Sequence, residues 1–413
     1  MTSPTSPKDS RTVIRCGGSA DFLAALPHVT GFTASDSVFL VGFAGSRSGT
    51  VVRTDLPPNE EPRETLALLD LASDLARDLS ASHGSPAALA IVITSSAAFT
   101  ADGSPPWLRL ARRLERRLRR DGAEIRDLCV VAADGWSSLL DPRASPAARP
   151  LSEITESSVA RGPLRCADPP VALAELGRIP DPLPERIAAV AAALERHHPH
   201  DFPGSEGVPP HRSEPGSTAH AYFRWLSETA AVARELREDA PLSVDATARL
   251  IRCCQHSDRW LVIALGLLTR PEFPLELARE FPMGRFAGVP VEAPASDAPG
   301  WSILRILTGV CSEFTEHARL RAVSDRLLGA AAETPEPLRP GLLALSAWVW
   351  WLCGSQTVAQ RHLAEAATID PSHQLSRMVR RLASTPIALP FSADGFTHRG
   401  GAPHAPSQPA APR

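Results

Sequence analysis

The chain has 413 residues, 43% hydrophobic and 22% charged, enough for two ordinary domains with buried cores, which excludes a disordered tail or a mini-protein. Its formal net charge of -3, from 43 basic and 46 acidic residues, argues against a general affinity for DNA or an anionic membrane and leaves only a local basic face for such contacts. Lys8 is the only lysine and sits in the polar stretch MTSPTSPKDS, so Schiff-base, P-loop and kinase-type lysine chemistry has no residue to supply it.

Residues 1–10 read as a disordered tail, and 11–145 as an α/β domain. A strand over 12–16 is followed by a helix over 20–29 with Phe22, Leu23 and Leu26 on one side. Residues 37–43 (SVFLVGF) form a strand without polar alternation, the sign of burial on both faces, and turn through Gly45, Ser46, Ser48 and Gly49 into a second strand over 50–56. Leu68, Leu71, Leu75 and Leu79 repeat at helical spacing within 60–79. A buried strand over 88–94, a helix over 106–120, a strand over 124–132 and a turn at Asp134-Gly135 complete a mixed sheet covered by helices.

Prolines crowd residues 146–219, which read as a connecting region interrupted by a short helix over 185–196. From 220 to 385 amphipathic Leu/Ala-rich segments alternate with prolines, the pattern of an all-α helical bundle, and 386–413 read as a second disordered tail. The fold class expected is thus an α/β N-terminal domain followed by an all-α C-terminal bundle. Seven cysteines, an odd number with no CxxC pair, fit free thiols in a reducing compartment. The N-terminus lacks a basic-then-apolar leader, and the longest apolar runs, 260–268 and 342–353, fall short of the roughly 20 residues needed to cross a bilayer. The expectation is a cytoplasmic protein with no membrane contact.

The chain carries two resemblances. IRCGGSADFLAALPHVTGFTASDSVFLVGF (14–43), RTDLPP (53–58) and DGW (134–136) resemble an actinobacterial family, domain of unknown function 4192, whose C-terminal helical part is also similar to residues 344–371 here. The resemblance implies a lineage and no particular chemistry. Members of that family often continue the DGW segment into a cysteine cluster with a Cys-Cys-Pro step, whereas residues 135–150 here hold no cysteine, so no metal or redox role carries over. Trp351, Leu352 and Gly354, with Ala359, Leu363, Ala366, Ala367 and Asp370-Pro371, resemble one tetratricopeptide-like helical hairpin, in one copy and without a 34-residue period.

Several constellations admit both a functional and a structural reading. Asp36 and Ser37 before a buried strand, with Arg53 and Asp55 on the next, place a carboxylate, a hydroxyl and a guanidinium at one sheet end, where open α/β sheets bind ligands; Asp134 and Trp136 are the next candidates for a small polar ligand. The alternative is a turn cap at Asp36 and an Arg53–Asp55 pair. The helix over 106–120 carries Arg109, Arg112, Arg113, Arg116, Arg117, Arg119 and Arg120 around an apolar face of Trp107, Leu110, Ala111, Leu114 and Leu118, which suits an anionic partner such as nucleic acid or an acidic protein, or else a solvated surface. His197, His198, His200, Asp201 and His211 have chelating chemistry but sit in a Pro/Gly-rich stretch, and no metal is assigned to them. Cys253 and Cys254, consecutive on a helix, point to different faces and read as buried small hydrophobes. Trp348, Trp350 and Trp351 suit a partner groove or core packing. No cofactor motif is present: Gly42, Gly45 and Gly49 lack the dinucleotide spacing, and residues 16–21 lack the last glycine of a nucleophile elbow. The function expected is that of a non-catalytic protein-interaction or regulatory module, with a ligand-binding α/β domain or a nucleic-acid-binding helix as the alternatives.

Overall fold

The run SVFLVGF lies inside a five-stranded sheet, and its lack of polar alternation follows from a packed layer on each side. The fold is that of a computed structural model, which describes residues 14–45, 47–83, 87–141, 148–165, 167, 169–196, 215–238, 240–280, 307 and 317–384. The chain divides into two compact units, the first running through Glu175 and the second from Leu176 to Leu389.

In the first unit β2 (Ser37–Ala44) runs antiparallel to both β3 (Arg47–Asp55) and β4 (Ala88–Thr94). β4 is parallel to β5 (Glu124–Val131), and β6 (Trp136–Ser138) closes the edge antiparallel to β5, giving the order β3-β2-β4-β5-β6. Alternate side chains divide between the faces. Val38, Leu40, Leu89, Ile91, Ile93, Leu128 and Val130 pack under α2 (Pro62–His83) and α3 (Leu108–Arg120). Phe39, Val41, Ala90, Val92, Cys129 and Trp136 meet α1 (Ser19–Thr30) through Leu23 and Leu26. A mixed sheet covered by helices is what the apolar strands and the leucine spacing predict.

α1 ends where Gly31 takes a left-handed conformation, φ 80°, and donates its N–H to the Pro27 carbonyl at 2.8 Å. α3 starts without a side-chain cap of its own, because the indole of Trp107, left-handed at φ 63°, has no acceptor; Glu60 instead accepts the Leu110 N–H at 2.7 Å. The strand expected over 12–16 is not formed in its described part. Residues 14–16 are irregular, α1 begins only three residues later, and both sheet edges are held by β3 and β6. A parallel pair of two residues each, β1 (Phe32–Thr33) with β7 (Val171–Ala172), is too short to leave a periodic signal. Residues 148–175, read from their prolines as part of a connection, carry two short helices, α4 (Ser152–Thr155) and α5 (Ser158–Arg161). Buried Asp21 of α1 fastens α5 by accepting from the Ser158 hydroxyl at 2.9 Å and the Val159 N–H at 3.1 Å.

The described part of the second unit holds only helices: α6 (Pro184–Arg196), α7 (Pro215–Arg237), α8 (Val244–Cys254), α9 (Ser257–Leu268), α10 (Phe273–Glu280), α11 (His317–Glu333), α12 (Arg339–Leu352), α13 (Gln356–Ile369) and α14 (Gln374–Leu382), with one 3₁₀ turn at Glu336–Leu338. Every residue of α12 from Pro340 to Leu352 is buried, because α8, α11, α13 and α14 all pack on it. Trp348 meets Trp260 of α9 edge-on at 5.5 Å, and its indole N–H bonds the Leu307 carbonyl at 3.1 Å. The tryptophans of α12 are therefore core, as are Cys253 and Cys254. α12 and α13 form an antiparallel hairpin turned by left-handed Gly354, φ 76°. Arg186 of α6 grips Glu333 of α11 through two bonds of 2.7 and 2.8 Å.

Candidate functional site

The sheet brings five of the six sequence-predicted ligand residues to one end, four of them around β2 and the fifth, Asp134, just beyond β5. Ser37 opens β2 opposite Asp55 on one side and Thr94 on the other, so Asp36, Ser37, Arg53 and Asp55 gather at the C-terminal end of β4. Arg53 donates from Nε and Nη2 to the Ser37 hydroxyl at 3.0 and 2.7 Å and pairs with Asp55, and Ser37 donates in turn to the Ser35 carbonyl at 2.7 Å. The arginine side chain is only 10% exposed against 76% for Asp55, so this pair fixes the strand end with one partner in water.

Asp36 turns away from Arg53. Held left-handed at φ 48°, it accepts from the Ser96 N–H at 2.9 Å and the Ser96 hydroxyl at 3.0 Å. The Ser96 N–H bond holds its carboxyl below the usual carboxylate range; hydroxyl bonds from Ser96, Ser35 and Ser95 add to this, and partial burial opposes it. Asp134 works in the same way across the loop, accepting the Phe99 N–H at 2.9 Å. The two aspartates thus anchor the β4–α3 loop from opposite sides. Trp136 is not part of this group: it is fully buried on the α1 side of the sheet, with the Arg149 guanidinium 4.2 Å from its ring centre.

On α3 the arginines divide in two. Arg113 donates to the Glu60 carbonyl just before α2 at 2.6 Å and to the Thr65 hydroxyl at 3.3 Å, and Arg117 reaches Ser73 at 3.0 Å and Asp70 at 3.3 Å, so both are ties to α2 and its start. Arg109, Arg112, Arg116, Arg119 and Arg120 remain exposed, and buried Glu115 draws in Arg112 at 2.8 Å and Arg119 at 3.0 Å.

A cavity of about 360 Å³ opens at the other end of the sheet, between Gly18, Ser19 and Ala20 of the α1 start, Arg126 and Asp127 of β5, Ser138, and Arg149. Asp127 is its fixed anion, accepting from Ser19 Oγ at 2.6 Å, Ser138 Oγ at 2.8 Å and its neighbour's N–H, that of Leu128, at 2.8 Å. Arg126 lies 5.0 Å from the Phe43 ring centre and bonds the Gly45 carbonyl. Sequence reasoning passed over these residues, although the adjacent charges Arg126-Asp127 just ahead of the apolar run 128–131 were a signal for them. The histidine stretch 197–211 lies outside the described residues, and among those described no cluster of metal-ligating side chains occurs. No described helix is long and apolar enough to cross a membrane.

Comparison with known proteins returns one family. No curated protein and no solved structure matches the chain. The family model for the domain of unknown function DUF4192 matches residues 20–269, a span that takes in the whole sheet with α1 to α3 and extends through α9, leaving the 344–371 hairpin beyond it. More than half of the chain is covered, and the protein belongs to the DUF4192 family.

Proposed function

We propose that the protein is a cytoplasmic, non-catalytic protein-interaction or regulatory module. The observation that carries this reading is the commitment of the polar groups at the expected ligand end: Asp36 and Asp134 hold the β4–α3 loop, and Arg53 is spent on Ser37 and Asp55. A helical unit stacked about α12, with a hairpin of tetratricopeptide-like spacing, supports the same reading, since such arrays build broad surfaces in place of reactive clefts. Cross-linking of the full chain in cells, read by mass spectrometry, is expected to recover protein partners equally for wild type and Arg53→Ala. The reading is overturned if no protein is cross-linked while the native chain carries excess mass that denaturation removes and that Arg53→Ala or Arg126→Ala abolishes; the chain would then be a binder of small polar ligands, at Asp36, Arg53 and Asp55 or in the cavity beside Asp127.

A further inference from the structure

We infer that the outer stripe of α3 is a docking surface for an acidic segment of a partner protein, an inference that rests on the interaction-module reading and names the surface and chemistry for it. α3 buries Leu110, Ala111, Leu114 and Leu118 against the sheet, and with 100° per residue this turns Arg109, Arg112, Arg116 and Arg120 to the opposite side. These four recur every three or four residues over about 16 Å of helix. Among the described residues Arg109, Arg116 and Arg120 form no ion pair with a carboxylate, while Arg116 and Arg120 lay only their Nε groups on the carbonyls four residues back, at 3.1 and 3.3 Å. The one carboxylate on the helix, Glu115, is buried beneath them.

The stripe is a single helix wide. On the α2 side it is bounded by exposed Asp70, and at its end by Asp121, which is held by Ser73 at 2.6 Å. A narrow basic ridge edged with carboxylates fits one acidic helix or extended segment laid along it, whose own carboxylates take the guanidinium forks. A duplex, with a phosphate backbone on each side of its groove, would place phosphates over the flanking aspartates.

The test is fluorescence anisotropy on the full-length protein with a labelled poly-glutamate peptide as probe, beside a single-stranded and a duplex oligonucleotide of similar length. Saturable peptide binding at low salt is expected, weakened at least about 10-fold by Arg109→Glu/Arg116→Glu/Arg120→Glu and unaltered by Arg377→Glu/Arg381→Glu, reversals at exposed positions of α14. Circular dichroism and a melting curve check that the triple variant is folded, and Arg109→Ala/Arg116→Ala/Arg120→Ala, which introduces no new charge, is the second variant. The inference is overturned if the peptide does not bind, if both α3 variants bind like wild type, if the α14 variant loses as much, or if either oligonucleotide binds more tightly than the peptide. Partners cross-linked equally to wild type and the α3 variants would sink the docking surface and leave the module reading standing; the absence of any partner would remove the module reading itself.

Discussion

Asp36 combines two demands that few residues meet. Its left-handed backbone is tolerated by aspartate and asparagine better than by other non-glycine residues, and its side chain must accept two bonds from Ser96. Asp36→Ala is expected to cost about 2 kcal/mol in denaturant unfolding, and Asp36→Asn clearly less, because the amide oxygen still accepts the Ser96 N–H. His362 poses a different problem. It is buried on α13, one ring nitrogen faces the Gly177 carbonyl at 2.8 Å, and the other has no hydrogen-bond partner among the described residues. Burial, with the Arg361 charge beside it, pulls its pKa down to about 4 against the Gly177 bond. Between that value and the ordinary 6.5 the unfolded chain binds a proton that the folded chain refuses, so this contribution to stability is full above 6.5, falls as pH drops and levels off below about 4. The loss amounts to at most about 3 kcal/mol. Unfolding midpoints at pH 7.5 and 5 are expected to differ markedly for wild type and much less for His362→Gln, whose amide can still donate to Gly177.

At the scale of elements, close approach decides the packing of the second unit. A Cβ on Gly341, near the start of α12, would lie 2.2 Å from the carbonyl oxygen of Cys254 at the end of α8. Neither backbone can yield without parting the two helices, so Gly341→Ala is expected to cost about 3 kcal/mol. Gly354 is the contrasting case: its Cβ would meet open space, and Gly354→Ala carries only the left-handed penalty of about 1 kcal/mol. Melting temperatures of the two variants should separate accordingly. The same contrast marks what the sequence could reveal. Long apolar or evenly spaced runs announced β2, β4, α2 and α3, because burial imposes its period directly on the residues involved. The two-residue pair β1–β7, the Glu60 cap of α3 and the Asp21 clamp on α5 depend on partners between 50 and 139 residues away along the chain, and no local pattern encodes them. The polar group at Asp36, Ser37, Arg53 and Asp55 was legible as a juxtaposition; that Asp36 would be spent on Ser96, and Trp136 buried with Arg149 on its ring, was not.

Across the whole molecule, the two units place their long-range contacts differently along the chain. The first depends on strands and clamps that reach from Asp21 to Ala172, and the second on helices that follow one another and enclose α12. That enclosure has a consequence during synthesis. α12 leaves the ribosome with three tryptophans and a run of leucines before α13 and α14, the helices that cover part of it, have been made. A chain stopped near Leu352 would carry a tryptophan-rich apolar helix covered only by α8 and α11, with the faces that α13 and α14 pack on left open. Premature termination there should therefore yield aggregates and chaperone-bound chains, and the final 32 residues of the described chain, 353–384, act as the shield that makes the preceding ones safe to translate.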